Sequence, residues 1–452
     1  MKTSLLTLAA LMTCGWSMAQ TFSGGSGTED TPWLISNTAD LNELDSLTNV
    51  EGDNGESLTS GRYFLLTDDI TTPFTGMIGT IGMFCGHFDG DGHSITVDIQ
   101  KPSESYVGLF GCVANGSVHD LAVRGDVSGN AYVGGVVGNP TSGAVLYNLA
   151  NYAHVISSSR SLMACTGGVV GGIVTSKRYG STGAEVRNCA NYGVVECDGN
   201  CVGGVIGYSG QQLGNKLYDL ANYGVVKTAA TDRTAGVVGN PLYDDKVHRL
   251  VNFGTKSAEA ILGCVGNANP TDFGELFYDC QMAYTINGNA MQEKYTDQLI
   301  GTQMQSDLGK TWVYTSGLLP RPNMDGLEES DEAVLYAVPV LLDRNDWVGN
   351  VTTDFRVVTS APDGNVTWTA DHNLVDIATD GTVTIKRNGY ETLTATYKGV
   401  SRKIDLVLNS ATAINAVSSD AVTNDRYYNL NGQLVAHPTH GVFIHNGKKI
   451  VR

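Results

Sequence analysis

Charged residues are scarce in this sequence. Asp, Glu, Lys and Arg make up 16% of it, and the balance is acidic, with 46 acidic against 28 basic side chains and a formal net charge of -18. No basic patch interrupts that balance, so nucleic acid is excluded as a partner by repulsion of its phosphates. The acidity reads as solubility outside a cell, with a cationic partner as the alternative. Long apolar runs are missing after the first residues, so no transmembrane segment is expected once a leader is removed. Catalytic and metal-binding patterns are missing too. Nine histidines supply no HExxH, no serine sits in GxSxG, and LGKT at 308–311 lacks the glycine that a phosphate loop needs upstream. The cysteines show neither CxxC nor the Cys/His spacing of a zinc site. Metallopeptidase, lipase-type and nucleotide-dependent roles are unsupported, and no cofactor or metal is expected.

The first residues, MKTSLLTLAALMTCGWSMAQ, place Lys2 before an apolar run and end in Ser17-Met18-Ala19. That is the pattern of a secretory signal over residues 1–19, with the mature chain starting at Gln20. Cys14 suggests a lipid anchor, but Met12 and Thr13 are poor lipobox residues. Eight cysteines follow it, and an exported chain permits disulfides. Cys197 and Cys201 are close enough to pair across a turn, whereas Cys189, aligned with Leu149, Leu220 and Val251, reads as a buried thiol.

What is abundant is glycine, at 55 residues, with valine and tyrosine, which suits short strands separated by turns. Four segments share one order: Gly-Gly-Val-Val/Ile-Gly or a close variant, a variable loop, a short strand, then NYAHV, NYGVV, NYGVV or NFGTK. The Asn residues stand 40, 31 and 30 residues apart. Repeats of that length built from short strands are the coils of a parallel β-helix, whose inner faces are buried only when coils stack.

Stacking explains the recurring Asn-aromatic pair. Equivalent positions in successive coils lie about 4.8 Å apart, so Asn151, Asn191, Asn222 and Asn252 are expected to hydrogen-bond in one ladder. Tyr152, Tyr192, Tyr223 and Phe253 are expected to stack in another. Asn also tolerates a left-handed corner, with Gly193, Gly224 and Gly254 following. Recognition is expected in the variable loops, such as Tyr179 to Thr182 and Ser209 to Gly214.

GGVVG, VGLFG and NCANYGVV resemble the GLUG-type repeats of secreted and surface proteins common in Bacteroidetes. The upstream GGSGTEDTPWLISNTADLNEL and FCGHFDGDGHSI, and the downstream TDQLIGTQMQSDLGKTWVY, resemble the segments that bracket such repeats, so the likeness covers about residues 23 to 323. It implies a right-handed parallel β-helix on an exported protein, often an adhesin or part of a protease, and no single activity. Within it, residues 20–100 are expected to cap the helix and 101–323 to form it.

The acidic stretch around 324–332 reads as a linker. From 333 to 409 the chain alternates apolar and polar residues between turns, as a small antiparallel sandwich does, with Trp368 as its anchor. VTWTADHNLVDIATDGTVTIKRNGYETLTATY resembles a group 2 bacterial immunoglobulin-like domain. Residues 410–452 resemble the short C-terminal tails of Bacteroidetes exported proteins, related to type IX sorting signals. The fold class expected is all-β, a parallel β-helix followed by an immunoglobulin-like β-sandwich.

The catalytic suspects are Asp89, Asp91 and His93 in FDGDGHSI, which suit glycan cleavage or Ca²⁺ binding only if other groups converge on them; Asp-Gly is also ordinary turn chemistry. Asp68, Asp69, Asp219, Asp244 and Asp245 read as solvated or corner residues. Trp33, Trp312, Trp347 and Trp368 suit sugar stacking, but most read as packing anchors. The function expected is a non-catalytic, adhesin-like surface protein engaging an extracellular glycan or a host or bacterial surface protein. A β-helix glycan lyase or hydrolase is the first alternative, and an architectural spacer the second.

Overall fold

A computed structural model describes residues 22–52, 57–174, 182–210, 214–230, 232–256, 265–266, 270–283, 291–324, 327, 338–359, 364–397, 399–411, 427–429, 433–435, 442–445 and 448–451. The expected signal peptide, Cys14, Cys264 and most of the expected linker lie outside the described residues, as do parts of the variable loops and of the C-terminal tail.

Successive coils stack as parallel strands into a β-solenoid of about 7 turns. On one side Ser117–Gly129, Val145–Asn151, Glu185–Asn191, Lys216–Asn222, Lys246–Asn252 and Asp272–Asp279 pair in register. Two further parallel sheets are built from the segments flanking each Gly-Gly corner, such as Val202–Gly203 and Ile206–Ser209. Parallel pairing starts well before residue 101: Trp33–Ile35 pairs with Tyr63–Leu66, which pairs with His87–Asp89, which joins Ser117–Gly129. The helix Thr38–Thr48 begins at Asn37, whose side chain accepts from the N–H groups of Ala39 and Asp40, and it buries Leu41, Leu44 and Leu47 in the solenoid's apolar core.

Register fixes the inner column as Leu121, Leu149, Cys189, Leu220, Leu250 and Leu276, all essentially inaccessible to solvent. Cys189 therefore aligns with Leu250 and not with Val251, which belongs to the neighbouring column of Ala150, Ala190 and Ala221. Burial pushes the Cys189 thiol up to about 12, so it behaves as a small apolar side chain. All seven described cysteines are free thiols. Cys201 neighbours Cys165 of the preceding coil, where the N–H of Thr166 donates to the carbonyl of Cys201, rather than closing a turn with Cys197.

The left-handed corner falls elsewhere than expected. Asp120, Asn148, Asn188, Asp219, Arg249 and Glu275 hold φ between +51° and +55°, three residues before each ladder position, and the ladder asparagines are not among the left-handed residues. This kink lets residues on both sides of it point inward, as Leu146 and Leu149 do. The glycines after the aromatic are needed for space: a Cβ on Gly224 would lie 1.9 Å from the carbonyl oxygen of Gly193.

After the solenoid, short helical turns between Thr296 and Thr311 and the pair Trp312–Val313 and Arg321–Pro322 lie along its side. Residues 338–408 form two antiparallel sheets, of four and three strands, that share a core of Leu341, Phe355, Val383, Leu393, Leu406 and Leu408. Trp368 packs against that core while partly exposed. The described tail residues form four short antiparallel strands. Among the described residues no helix is long and apolar enough to cross a membrane.

Candidate functional site

The ladder residues lie inside the fold. Asn151 donates to Asn191, Asn191 to Asn222 and Asn222 to Asn252 at 2.8, 2.8 and 2.9 Å, and all four are buried. Each amide fills the space left by a missing side chain across the coil, at Gly135, Gly168, Gly204 and Gly236. The adjoining rings from Tyr152 to Phe253 stack at 4.7, 4.9 and 5.0 Å with planes within 14°. Leu299, Met304, Leu308, Trp312 and Leu319 cover Tyr192, Tyr223 and Phe253, so most of this column serves packing.

Asp89, Asp91 and His93 do not converge. Asp91 is the left-handed residue of a turn, and its N–H donates to Asp89 at 2.8 Å. His93 faces Asp69 at 3.6 Å. Asp89 instead points along the stack to His119, 3.5 Å away, and His119 also contacts Asp120 at 2.7 Å. Burial alone would raise the Asp120 carboxyl, but hydrogen bonds with His119 and Asn148 hold it below the usual range. Ligand atoms of Asp89, His119 and Asp120 lie within 4.8 Å of one another, close enough to share a cation. The cluster leads into an outer stripe in which Tyr147 stacks on His119 at 4.5 Å and Arg187 lies 4.2 Å from the centre of the Tyr147 ring. The sequence signal for it was VHDLAV, which aligns with VLYNLAN and EVRNCAN and so sets His119 and Asp120 beside Tyr147 and Asn148.

A second arrangement lies where the solenoid meets the two antiparallel sheets of residues 338–408. A cleft of about 690 Å³ opens between the aromatic corner and the strand Val400–Leu408, lined by Arg124, Tyr152, His154, Lys227, Arg402 and Lys403 among others. The guanidinium of Arg124 lies 4.6 Å from the centre of the Tyr152 ring, at the N-terminal end of the aromatic column. Burial lowers Arg402 to about 10, offset in part by Tyr192 and Tyr223, which leaves it charged at neutral pH. Two carboxylates join the lining: Asp371 faces Lys403 at 3.8 Å, and Asp405 accepts from Thr392 at 2.8 Å. His154 is held between Asp126 and Glu196, 3.9 and 3.3 Å away. Arg124 directly follows Val123, which pairs with Asn151, Lys227 directly follows the third pentapeptide, and Arg402 and Lys403 belong to the late strand; parts of the variable loops where recognition is expected lie outside the described residues.

No family model matches the chain. It is 34% identical over 140 residues, 28% of its length, to a "Putative Gly-rich membrane protein" of Evansella cellulosilytica, and 29% identical over 155 residues, 32% of its length, to "Halomucin" of Haloquadratum walsbyi. The matched regions span only 15% and 2% of those two proteins. Among solved structures it is similar to a "putative immunoglobulin A1 protease from Bacteroides ovatus", at 16% identity and a TM-score of 0.43, covering 67% of this chain and 95% of that one.

Proposed function

We propose that the chain is an exported, non-catalytic, adhesin-like surface protein that binds an extracellular glycan at the junction of its solenoid and its sandwich. The carrying observation is the junction cleft, which combines a guanidinium seated on an aromatic ring, further cations and hydrogen-bond acceptors. Export is supported by the leader-like first residues, and a surface role by the GLUG-type, immunoglobulin-like and sorting-tail resemblances. On this reading the solenoid is right-handed and the two-sheet unit is an immunoglobulin-like module. A glycan array probed with residues 20–452, followed by assay of each hit for new reducing ends or unsaturated products, tests the proposal. Binding without product is expected.

The second reading, a glycan lyase or hydrolase, rests on Asp89, His119 and Asp120, where two carboxylates meet one imidazole. Product formation abolished by His119→Ala would establish it and remove the first.

A further inference from the structure

We infer that the junction cleft takes an acidic saccharide, a sugar bearing a carboxylate or sulfate, with its anion held between Arg124 and the cations of the sandwich strand. The inference rests on the glycan-binding reading and narrows it to one class of ligand.

Charge favours an anionic ligand. In a chain of net charge -18, Arg124, Lys227, Arg402 and Lys403 converge on a cleft where, among the described residues, the lining carboxylates are Asp371 and Asp405. A local excess of cations inside an acidic surface draws an anion that the rest of the molecule repels.

Preorganisation favours a forked anion. Arg124 is seated on a stack of four rings: Tyr152 lies on Tyr192, Tyr192 on Tyr223 and Tyr223 on Phe253, and the hydroxyl of Tyr223 donates to the carbonyl of Pro320 at 2.6 Å. A guanidinium fixed in one plane presents its donors as a fork that matches a carboxylate or sulfate in two-point contact, with little rotamer freedom left to lose.

The mixture of lining groups favours a sugar. Asp371, Asp405 and the hydroxyls of Thr96 and Ser401 also line the cleft. To a dense polyanion the two carboxylates add repulsion. To a sugar they are acceptors for its hydroxyl donors, so the lining fits a ligand that carries one anionic group among several O–H groups. The volume, about 690 Å³, lies within the roughly 300–1,000 Å³ usual for small-ligand sites.

The test is calorimetric titration of residues 20–452 with a hexuronate-containing oligosaccharide, the same oligosaccharide with its carboxyls reduced to alcohols, a neutral oligosaccharide with and without sulfate groups, and oligoglutamate. Binding of the hexuronate or the sulfated probe, weakened about tenfold or more by carboxyl or sulfate removal, is expected. Lys227→Gln, at a half-buried position, and Lys403→Gln, at an exposed one, are each expected to weaken it several-fold, and Arg124→Gln more; Lys101→Gln, outside the lining, is the unchanged control. Equal affinity for the carboxyl-reduced probe, unchanged affinity in the three cleft variants, or tighter binding of oligoglutamate overturns the inference. In the first two cases glycan binding itself survives, whereas an array without any bound glycan removes the broader reading as well.

Discussion

The carboxylate of Asp219 accepts the indole N–H of Trp312 at 2.8 Å across 93 residues of chain. The same carboxylate takes the hydroxyl of Thr311 at 2.7 Å and two donors of Arg249 at 2.6 and 2.9 Å, and it is almost wholly buried. Asp219 is thus a buried corner residue at which the closing segment is pinned to the side of the solenoid. Asp219→Ala leaves Arg249 and the indole without that acceptor, and the loss is expected to be about 3 kcal/mol, the lower range for breaking a buried pair. Urea denaturation reads the loss, and a red shift of tryptophan emission in the folded variant reads the release of Trp312.

The asparagine ladder makes a position-dependent prediction. Asn191 accepts from Asn151 and donates to Asn222 and to the carbonyl of Gly193, so Asn191→Ala strands partners on both sides. A cost of about 2–4 kcal/mol is expected from two buried groups left unsatisfied. Asn252, at the far end, is joined to one ladder neighbour, and Asn252→Ala is expected to cost about half as much. Equal midpoints for the two variants in urea would mean that the coils do not communicate through the amides.

Stability is expected to fall as pH rises from about 4 towards 7. Burial raises the carboxyl of Asp279 to about 7 and that of Asp245 to about 6, against donors from Thr296 and Gln281 in the first case and Leu242 and Asn215 in the second. Because the folded chain holds these protons at pH values where the unfolded chain has lost them, each group contributes stability at acid pH that drains away as pH climbs through its folded value, at up to about 1.4 kcal/mol per pH unit. Asp279→Asn removes that group's share, so its urea midpoint should change less between pH 4 and 7 than the wild type's.

The solenoid was legible because its repeat is a local property: the same Asn, aromatic and glycine return whenever the chain completes a coil, and the inner column from Leu121 to Leu276 follows from the same spacing. The outer surface was not legible in this way. Asp219 looks like any corner carboxylate until a segment 93 residues later lands on it. Arg124 and Arg402 lie far apart in the chain, and only the docking of the sandwich brings them to one cleft. The helix Thr38–Thr48 leaves a weak trace in the sequence because its apolar side is short, three leucines in 11 residues. Aligning VHDLAV with the later coils sets His119 and Asp120 on the outer face, whereas FDGDGHSI gathers its polar groups in sequence rather than in space.

The last prediction concerns why the coils carry two glycines at one corner. An added Cβ on Gly204 would sit 2.1 Å from the carbonyl oxygen of Gly236 and 2.3 Å from the amide carbon of Asn222. Neither can retreat: the first belongs to the paired backbone of the next coil, and the second is held by the ladder on both sides. Gly204→Ala must therefore push two coils apart or break the amide chain, and it is expected to cost about 3 kcal/mol or more, in the range of overpacked cores. Gly24→Ala provides the contrast, because its Cβ meets only the tip of the Leu34 side chain at 3.0 Å, which can turn aside, and a cost below about 1 kcal/mol is expected. Urea midpoints of the two variants decide the matter. If Gly204→Ala is tolerated as well as Gly24→Ala, the close approach of glycine and asparagine is not what holds the coils at their spacing.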